Sequence, residues 1–185
     1  MAQKKSYLKG KMILAVDDEE DILDTIAEAL ETARVDRAQD YHTAVRKIAE
    51  NPYDLAILDI MGVDGLRLLD KAVEKGIPTV MLTAHALSPE TLLASIRKGA
   101  ISYLPKESLA EIDKILEEIL AALESGEPTW KILFERLGDY FDEKFGPDWK
   151  EKDKEFWTEF SRGYSIGKGI QARLLRNEKI ISKGI

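Results

Sequence analysis

Short apolar runs alternate with amphipathic segments from residue 12 to residue 123. The first run, "MILAV" (12–16), is typical of a buried strand, and the apolar residues after it recur at spacings of three and four, which is typical of a helix. The alternation occurs five times. It predicts strands at 12–16, 34–38, 55–59, 78–83 and 101–104. It predicts helices at 22–30, 42–50, 65–75, 88–98 and 107–124.

Five consecutive strand–helix units favour a parallel sheet with helices on both of its faces. Right-handed crossover connections leave only a few topologies for such a sheet. We predict a flavodoxin-like, doubly wound α/β fold with strand order 2-1-3-4-5. The stretch "SGEP" (125–128) ends the last helix. We therefore divide the chain into a first domain, residues 1–125, and a helical extension, residues 126–185.

The extension is rich in aromatic residues, and their spacing predicts a helix near 129–145, a break at "GPD" (146–148) and a second helix near 149–162. These residues are Trp130, Phe134, Tyr140, Phe141, Phe145, Trp149, Phe156, Trp157, Phe160 and Tyr164. So many rings need a surface to bury against. The first domain, a second copy of the chain or another protein could provide it. We favour a homodimer or a hairpin that docks on a protein partner.

The net charge of −7 is unevenly distributed. Residues 1–126 carry 15 basic and 23 acidic side chains, a net −8, whereas residues 127–185 carry 12 and 11, a net +1. Residues 160–185 hold six basic side chains and one acidic one. This basic tail is compatible with nucleic acid, an acidic partner or a solvated chain end. We do not favour nucleic acid, because no helix-turn-helix pair is evident.

Composition narrows the possible chemistry. The chain has no cysteine and only two histidines, which excludes thiol nucleophiles and argues against a zinc site built on several histidines. Any metal is therefore expected to be a hard cation with oxygen ligands. No apolar run approaches the ~20 residues of a membrane span, and no signal peptide is evident. We expect a cytoplasmic protein that does not associate with a membrane.

Acidic residues stand at the ends of two predicted strands. Asp17 and Asp18 follow the first strand, and Asp59 ends the third. Ligands of a doubly wound sheet bind beyond the carboxyl ends of its strands, where these carboxylates would repel one another unless they share a cation. Mg²⁺ suits such a site, because it accepts a few carboxylates and retains positions for phosphate oxygens. Thr83 ends the fourth strand and Lys106 follows the fifth, which completes a candidate phosphoryl-transfer site.

Each of these side chains has an expected role in phosphoryl transfer. The carboxylate of Asp59 attacks the phosphoryl group. Mg²⁺ and Lys106 neutralise the phosphoryl oxygens, and Thr83 donates a hydrogen bond to one of them. No general base is needed, because a carboxylate is already ionised at neutral pH. The candidate catalytic residues are therefore Asp59, Thr83 and Lys106.

Four stretches in order, "ILAVDDEEDIL", "YDLAILDIMGVDG", "VMLTAHA" and "GAISYLPKE", resemble the receiver domain of two-component response regulators. The similarity runs over about 12–123. It implies that Asp59 accepts a phosphoryl group from the phosphohistidine of a sensor histidine kinase. It also implies a Mg²⁺ ion held by Asp18, Asp59 and the backbone carbonyl of Met61, with Asp17 acting through water.

The resemblance further implies that Thr83 and Tyr103 form a switch. When the phosphoryl group draws Thr83 inward, the ring of Tyr103 moves into the space vacated. This movement changes the face built by the fourth helix, the fifth strand and the fifth helix, as a shift between two packings.

The sequence departs from the family pattern at two turns. The turn after Asp59 lacks the usual proline and reaches Gly65 about two residues early. The carbonyl of Met61 is therefore expected to be displaced, with a cost in metal affinity. Pro105 precedes Lys106, whereas proline normally follows this lysine. We expect a trans bond between Lys106 and Glu107, since a cis bond there would cost roughly 3 kcal/mol.

Four functions are compatible with these features. We predict a response regulator that is a phosphoacceptor rather than an enzyme, and that signals through phosphorylation-dependent protein contacts. One alternative is a transcription regulator whose basic tail contacts DNA, and another is a receiver-like scaffold that acts without phosphorylation. An Asp-nucleophile phosphatase is less favoured, because such enzymes carry a second Asp where Met61 stands.

Overall fold

The computed structural model of the protein describes the backbone of residues 4–166 and the side chains of residues 4–162. Its centre is one sheet of five parallel strands in the order β2-β1-β3-β4-β5. The strands are β1 (Met12–Val16), β2 (Arg34–Ala38), β3 (Leu55–Asp59), β4 (Thr79–Thr83) and β5 (Ser102–Pro105). The predicted flavodoxin-like order is confirmed, and every strand lies within one residue of its predicted bounds.

Helices follow the strands and cover both faces of the sheet. They are α1 (Glu20–Ala29), α2 (Tyr41–Glu50), α3 (Gly65–Glu74), α4 (Pro89–Lys98) and α5 (Ile112–Ser125). Helix α1 contacts α5, while α3 contacts both α2 and α4. The helix predicted at 107–124 differs at its start, where a 3-10 helix (Lys106–Glu111) precedes α5. Such tight turns commonly open or close an α-helix, and here the turn buries Leu109.

The register of the sheet brings four strand ends to one edge. Every residue of β3 and β4 is buried, as expected for central parallel strands covered on both faces. Val16 pairs with Leu58, Asp59 with Leu82, and Thr83 with Pro105. The residues that end or follow β1, β3, β4 and β5 therefore surround one crevice at the carboxyl edge of the sheet.

The extension contains the two predicted helices, α6 (Thr129–Phe145) and α7 (Lys154–Ile166). Helix α6 has the predicted bounds, but α7 begins five residues later than expected and is preceded by a short 3-10 turn (Glu151–Asp153). The reason is Trp149, which is buried and donates a hydrogen bond from Nε1 to Asp142 Oδ1 of α6 at 2.8 Å. Its indole packs back on α6, so the chain turns before the second helix starts.

The extension covers the face formed by α4, β5 and α5. Trp130 of α6 donates a hydrogen bond from Nε1 to the carbonyl of Ala100 at 3.1 Å, just before β5. Arg136 bonds Glu118 of α5 through two nitrogens, at 2.9 and 2.5 Å. On α4, the guanidinium of Arg97 stacks 5.2 Å from the ring of Phe156. Of the three surfaces considered for the aromatic rings, the first domain is the one that the structure shows.

An aromatic cluster joins α6 to α7. Its rings meet mostly edge to face, as in the pair Trp130–Phe160, 6.0 Å between centroids, and the pair Phe134–Trp157, 5.9 Å.

The division between residues 125 and 126 coincides with the end of α5, but separate domains remain a prediction. Tyr164 and all of the basic tail beyond Arg162 lie outside the described side chains. Within residues 4–166, no helix is both long enough and apolar enough to cross a bilayer.

Candidate phosphoryl-transfer site

Three of the predicted acidic residues lie together at the carboxyl edge of the sheet. Asp17 follows β1 and is fully buried, and Asp59 ends β3 and is only 5% exposed. Asp18 is exposed at the mouth of the crevice. Carboxylate oxygens of Asp17, Asp18 and Glu19 lie within 4.8 Å of one another. The edge therefore concentrates negative charge where the sequence predicts it.

Lys106 crosses this edge from the end of β5. Its Nζ lies 2.9 Å from Asp17 Oδ2, 3.2 Å from Glu19 Oε1 and 3.5 Å from Asp59 Oδ1. The lysine side chain is only 10% exposed. Asp17 Oδ2 is buried and forms an ion pair with Lys106, but the two groups are not aligned as a hydrogen bond. Asp17 Oδ1 accepts a hydrogen bond from the Glu19 backbone N–H at 2.9 Å. We refer to these five residues, Asp17, Asp18, Glu19, Asp59 and Lys106, as the acidic site.

Burial dominates the protonation of the acidic site. Burial raises the pKa of Asp59, against the opposing effects of the Lys106 charge and a hydrogen bond from Gly62. Burial also raises the pKa of Asp17, against the hydrogen bond from Glu19 and the contact with Lys106. Burial alone would lower the pKa of Lys106, but the ion pair with Asp17 and the charge of Asp59 outweigh it and raise the pKa. One lysine thus leaves the carboxylates with uncompensated negative charge.

The residues present fit a divalent cation. Excess negative charge, oxygen donors and an exposed Asp18 beside two buried carboxylates are the conditions in which Mg²⁺ is bound by few protein ligands and several waters. The cluster found around Asp17 and Asp18 also includes Glu19, which sequence reasoning missed although it directly follows the acid pair. Its role depends on how the chain turns into α1, which periodicity does not reveal.

The shortened turn after Asp59 is closed by two glycines. The N–H of Gly62 donates to Asp59 Oδ2 at 3.2 Å, and a Cβ on Gly62 would lie 2.2 Å from an Asp18 oxygen. A Cβ on Gly65 would lie 2.0 Å from the carbonyl oxygen of Asp59. The carbonyl of Met61 accepts from the Asp64 N–H at 3.4 Å. Met61 as a metal ligand stays a prediction.

Thr83 and Tyr103 are joined through the loop between β4 and α4. The Thr83 hydroxyl accepts a hydrogen bond from the Ala86 N–H at 3.0 Å. The hydroxyl of the fully buried Tyr103 lies 2.7 Å from Thr91 Oγ1 and 3.4 Å from the Ala86 carbonyl, and it accepts from the Ser88 N–H at 3.3 Å. Burial raises the pKa of Tyr103.

All described peptide bonds are trans, which confirms the expectation for the bond after Lys106.

The comparisons with known proteins agree with this geometry. Residues 13–119 match the family described as "Response regulator receiver domain". The chain is similar to Response regulator GtcR of Aneurinibacillus migulanus, 31% identical over 131 residues, which cover 67% of this chain and 54% of that protein. It is also similar to Transcriptional regulatory protein CutR of Streptomyces coelicolor, 36% identical over 100 residues, which cover 51% and 46%. The chain thus spans about half the length of these curated relatives.

Solved structures show the same similarity. A CheY-like response regulator receiver domain protein from Methanospirillum hungatei aligns with a TM-score of 0.57 and 31% identity. The alignment covers 63% of this chain and 98% of that one. The receiver domain of the Francisella response regulator 1452 aligns with a TM-score of 0.54 and 29% identity, over 60% of this chain and 96% of that one. Both receivers are covered almost completely by less than two thirds of this chain.

Proposed function

Because the chain belongs to the response regulator receiver family of two-component systems, we propose that Asp59 accepts a phosphoryl group from the phosphohistidine of a sensor histidine kinase. A carboxylate oxygen of Asp59 forms the new bond to phosphorus while the bond from phosphorus to the histidine nitrogen breaks, and that nitrogen takes the electron pair. The observation that carries this proposal is the ion pair of Lys106 Nζ with Asp59 Oδ1, 3.5 Å apart in a nearly closed crevice.

The buried lysine supplies a fixed positive charge for the reaction. Lys106 can follow the developing negative charge from the Asp59 carboxylate to the phosphoryl oxygens with little movement, because the buried Asp17 holds its Nζ at the crevice. Asp18, Asp59 and the Met61 carbonyl would hold Mg²⁺, with Asp17 acting through water, as the family resemblance implies. When bound, the ion would neutralise charge on the carboxylates and on the transferred group.

Thr83 is the proposed hydrogen-bond donor to the transferred group. Its hydroxyl is buried at the end of β4 and already accepts from Ala86, so its own hydrogen remains available for a phosphoryl oxygen. The hydroxyl must turn towards Asp59 to make that bond. The movement couples the site to the loop that leads to α4.

We propose that the protein is a phosphoacceptor in the cytoplasm, and that phosphorylation changes its contacts with other proteins. A transcriptional role is the second candidate, because CutR is named a transcriptional regulatory protein and the tail of this chain is basic. Salt-sensitive DNA binding by the full chain would favour that role. An enzyme acting on a separate substrate is not proposed.

The test is covalent labelling of Asp59. The full chain is incubated with acetyl phosphate and Mg²⁺, and intact mass is measured for the wild type, for Asp59→Asn and for Asp64→Asn, an exposed acid in the same turn. We expect one phosphoryl group on the wild type and on Asp64→Asn, and none on Asp59→Asn. An unlabelled but folded wild type would contradict the proposal and favour a scaffold that acts without phosphorylation.

A further inference from the structure

Lys150, in the turn between α6 and α7, lies over three aromatic rings. Its Nζ is 5.3 Å from the ring centroid of Phe134, 5.2 Å from that of Trp149 and 5.7 Å from that of Trp157. Phe134 and Trp149 each meet Trp157 nearly at right angles, with interplanar angles of 82° and 73°. We refer to the three aromatic residues, whose faces surround one ammonium group, as the cage.

The rings, and not an acidic group, hold this ammonium. Among the described residues, no acceptor forms an ion pair or a hydrogen bond with Lys150 Nζ, although Asp148 and Glu151 are close to it in the chain. Aromatic faces attract cations electrostatically, and tryptophan does so most strongly. Trp149 and Trp157 are both buried, so the attraction acts partly away from water. The cage therefore favours a positive charge without supplying acceptors for its N–H groups.

The cage is wider than an ammonium group requires. At the distances between Lys150 Nζ and the three centroids, a methyl group bonded to the nitrogen, about 1.5 Å away, would lie about 4 Å from a ring, which is van der Waals contact. A lysine ammonium is strongly hydrated and carries three donors. A quaternary ammonium has no N–H group to leave without an acceptor. Shape and hydration therefore both favour a methylated cation over Lys150.

We propose that the cage is a binding site for a quaternary ammonium group, which displaces Lys150 from the three rings when it binds. Lys150 can leave the cage without disturbing the core, because its side chain is partly exposed and belongs to a turn. While it covers the rings, it lowers the apparent affinity for the ligand by the fraction of molecules in which the cage is open. The cage shares no residue with the acidic site, so this inference is independent of the proposed phosphorylation.

Tryptophan emission provides the readout, since two of the three tryptophans of the chain belong to the cage. The full chain is titrated with tetramethylammonium chloride, and a parallel titration with sodium chloride corrects for ionic strength. We expect a saturable change in emission that sodium chloride does not produce. The absence of such a change in the folded wild type would overturn the proposal.

Removal of the covering lysine tests the displacement. In Lys150→Ser the cage is open, and we expect the tetramethylammonium concentration at half-saturation to fall about tenfold. Lys152 is exposed in the same turn, so Lys152→Ser is the matched control and should keep the wild-type value. A response in Lys150→Ser alone would show that the cage only accommodates its own lysine. Equal half-saturation in Lys150→Ser and the wild type would show that no displacement occurs. Either result would overturn the proposal.

Removal of one ring tests the aromatic contribution. Phe134→Leu replaces an aromatic face by an aliphatic side chain, and the concentration at half-saturation should rise about fivefold. Phe156 belongs to the same aromatic cluster but faces Arg97, so Phe156→Leu should leave that concentration unchanged. Circular dichroism verifies that both variants fold. If the two folded variants bind tetramethylammonium equally well, the rings do not bind the cation and the inference is wrong. If Phe134→Leu does not fold, Lys150→Ser, which changes no buried residue, decides the question.

Competition experiments distinguish two sources of the quaternary ammonium group. Choline represents a free small molecule, and a peptide with trimethyllysine represents a modified protein side chain. We expect both to displace tetramethylammonium, and the one that acts at the lower concentration identifies the source. The same peptide with unmodified lysine should not compete. Competition by the unmodified peptide at the same concentration as the methylated one would contradict the proposed preference for a quaternary group.

Discussion

Two regions of the molecule differ in what they bury, the acidic site at the carboxyl edge of the sheet and the aromatic cluster that packs on Tyr103. In the acidic site, burial raises the pKa of two carboxylates, and a single lysine faces several negative charges. In the aromatic cluster, large rings are buried against one another and against β5, and the indole N–H of Trp130 donates a hydrogen bond. The first region therefore holds buried charges at a cost in folding free energy, whereas the second contributes apolar burial that offsets this cost.

The largest effect is expected from removing a ring at the base of the extension. Trp130 is 1% exposed and bonds the carbonyl of Ala100. Trp130→Ala loses this packing and leaves a cavity, so the free energy of unfolding should fall by about 3–5 kcal/mol. Urea denaturation followed by circular dichroism measures it, with Lys131→Ala as a surface control within about 0.5 kcal/mol of wild type. A loss below about 1 kcal/mol would mean that the extension adds little to the stability of the chain.

Neutralising Asp59 in the acidic site should increase the free energy of unfolding, whereas Trp130→Ala decreases it. Asp59→Asn removes a charge whose burial is unfavourable, while Lys106 keeps Asp17 and Glu19 as partners. We expect the free energy of unfolding at pH 7 to rise, by an amount within the ~0.5–3 kcal/mol that single substitutions commonly cause. Asp64→Asn, exposed in the same turn, should change it by less than about 0.5 kcal/mol. Destabilisation by Asp59→Asn would show that the ion pair with Lys106 outweighs the cost of burial.

The pH dependence of the stability difference between Asp59→Asn and the wild type tests whether charge is its cause. The pKa of Asp59 is raised above its ordinary value of 3.8, so the native state binds its proton at a higher pH than the unfolded state does. Between the two values the native state carries more protons, and the stability of the wild type rises as the pH falls. The advantage of Asp59→Asn should therefore shrink on acidification from pH 7 towards pH 4. A constant advantage would assign it to packing rather than to charge.

The two regions also differ in how far the sequence predicts them. Asp17, Asp59, Thr83 and Lys106 end or follow apolar runs, and the parallel sheet brings strand ends together, so local periodicity was sufficient to place them at one edge. Periodicity also predicted α6. It could not show what α6 packs against, because an apolar helix face has the same pattern whether it covers its own domain, a second copy or a partner.

Within the site, the unpredicted features are those of backbone path. Ala86 acts through its N–H and carbonyl alone, so its residue type carries no signal. Glu19 reaches Lys106 only because of the way the chain enters α1. The two glycines of the shortened turn were visible in the sequence, but the approach of Gly62 to the Asp18 carboxylate required the folded chain.

The shortened turn allows a finer test of the acidic site. In Gly62→Ala the new Cβ would meet the Asp18 carboxylate. Because Asp18 is exposed and its side chain can move, stability should change by less than about 1 kcal/mol. The displaced carboxylate should raise the Mg²⁺ concentration for half-maximal labelling by acetyl phosphate about tenfold, the effect of about 1.4 kcal/mol.

Gly138→Ala gives the matching change in the extension. Nothing lies within 4 Å of a Cβ on Gly138, which is inside α6, so alanine should stabilise the chain by about 0.5–1 kcal/mol through helix propensity. Its Mg²⁺ requirement should stay that of the wild type. If Gly62→Ala leaves this requirement unchanged as well, Asp18 does not contribute to cation binding in the labelled state.

The smallest effect is expected at Glu19, whose side chain is 54% exposed although it contacts Lys106. An exposed partner contributes little, so Glu19→Gln should change stability by less than about 0.5 kcal/mol. Labelling by acetyl phosphate at saturating Mg²⁺ should become about twofold faster, because Lys106 then loses a competitor of the phosphoryl oxygens. Glu20→Gln, the next acid along, should have no effect on the rate. If Glu19→Gln instead raises the Mg²⁺ requirement more than tenfold, Glu19 holds the cation with Asp17 and Asp18, and the acidic site is a three-carboxylate centre at the end of β1.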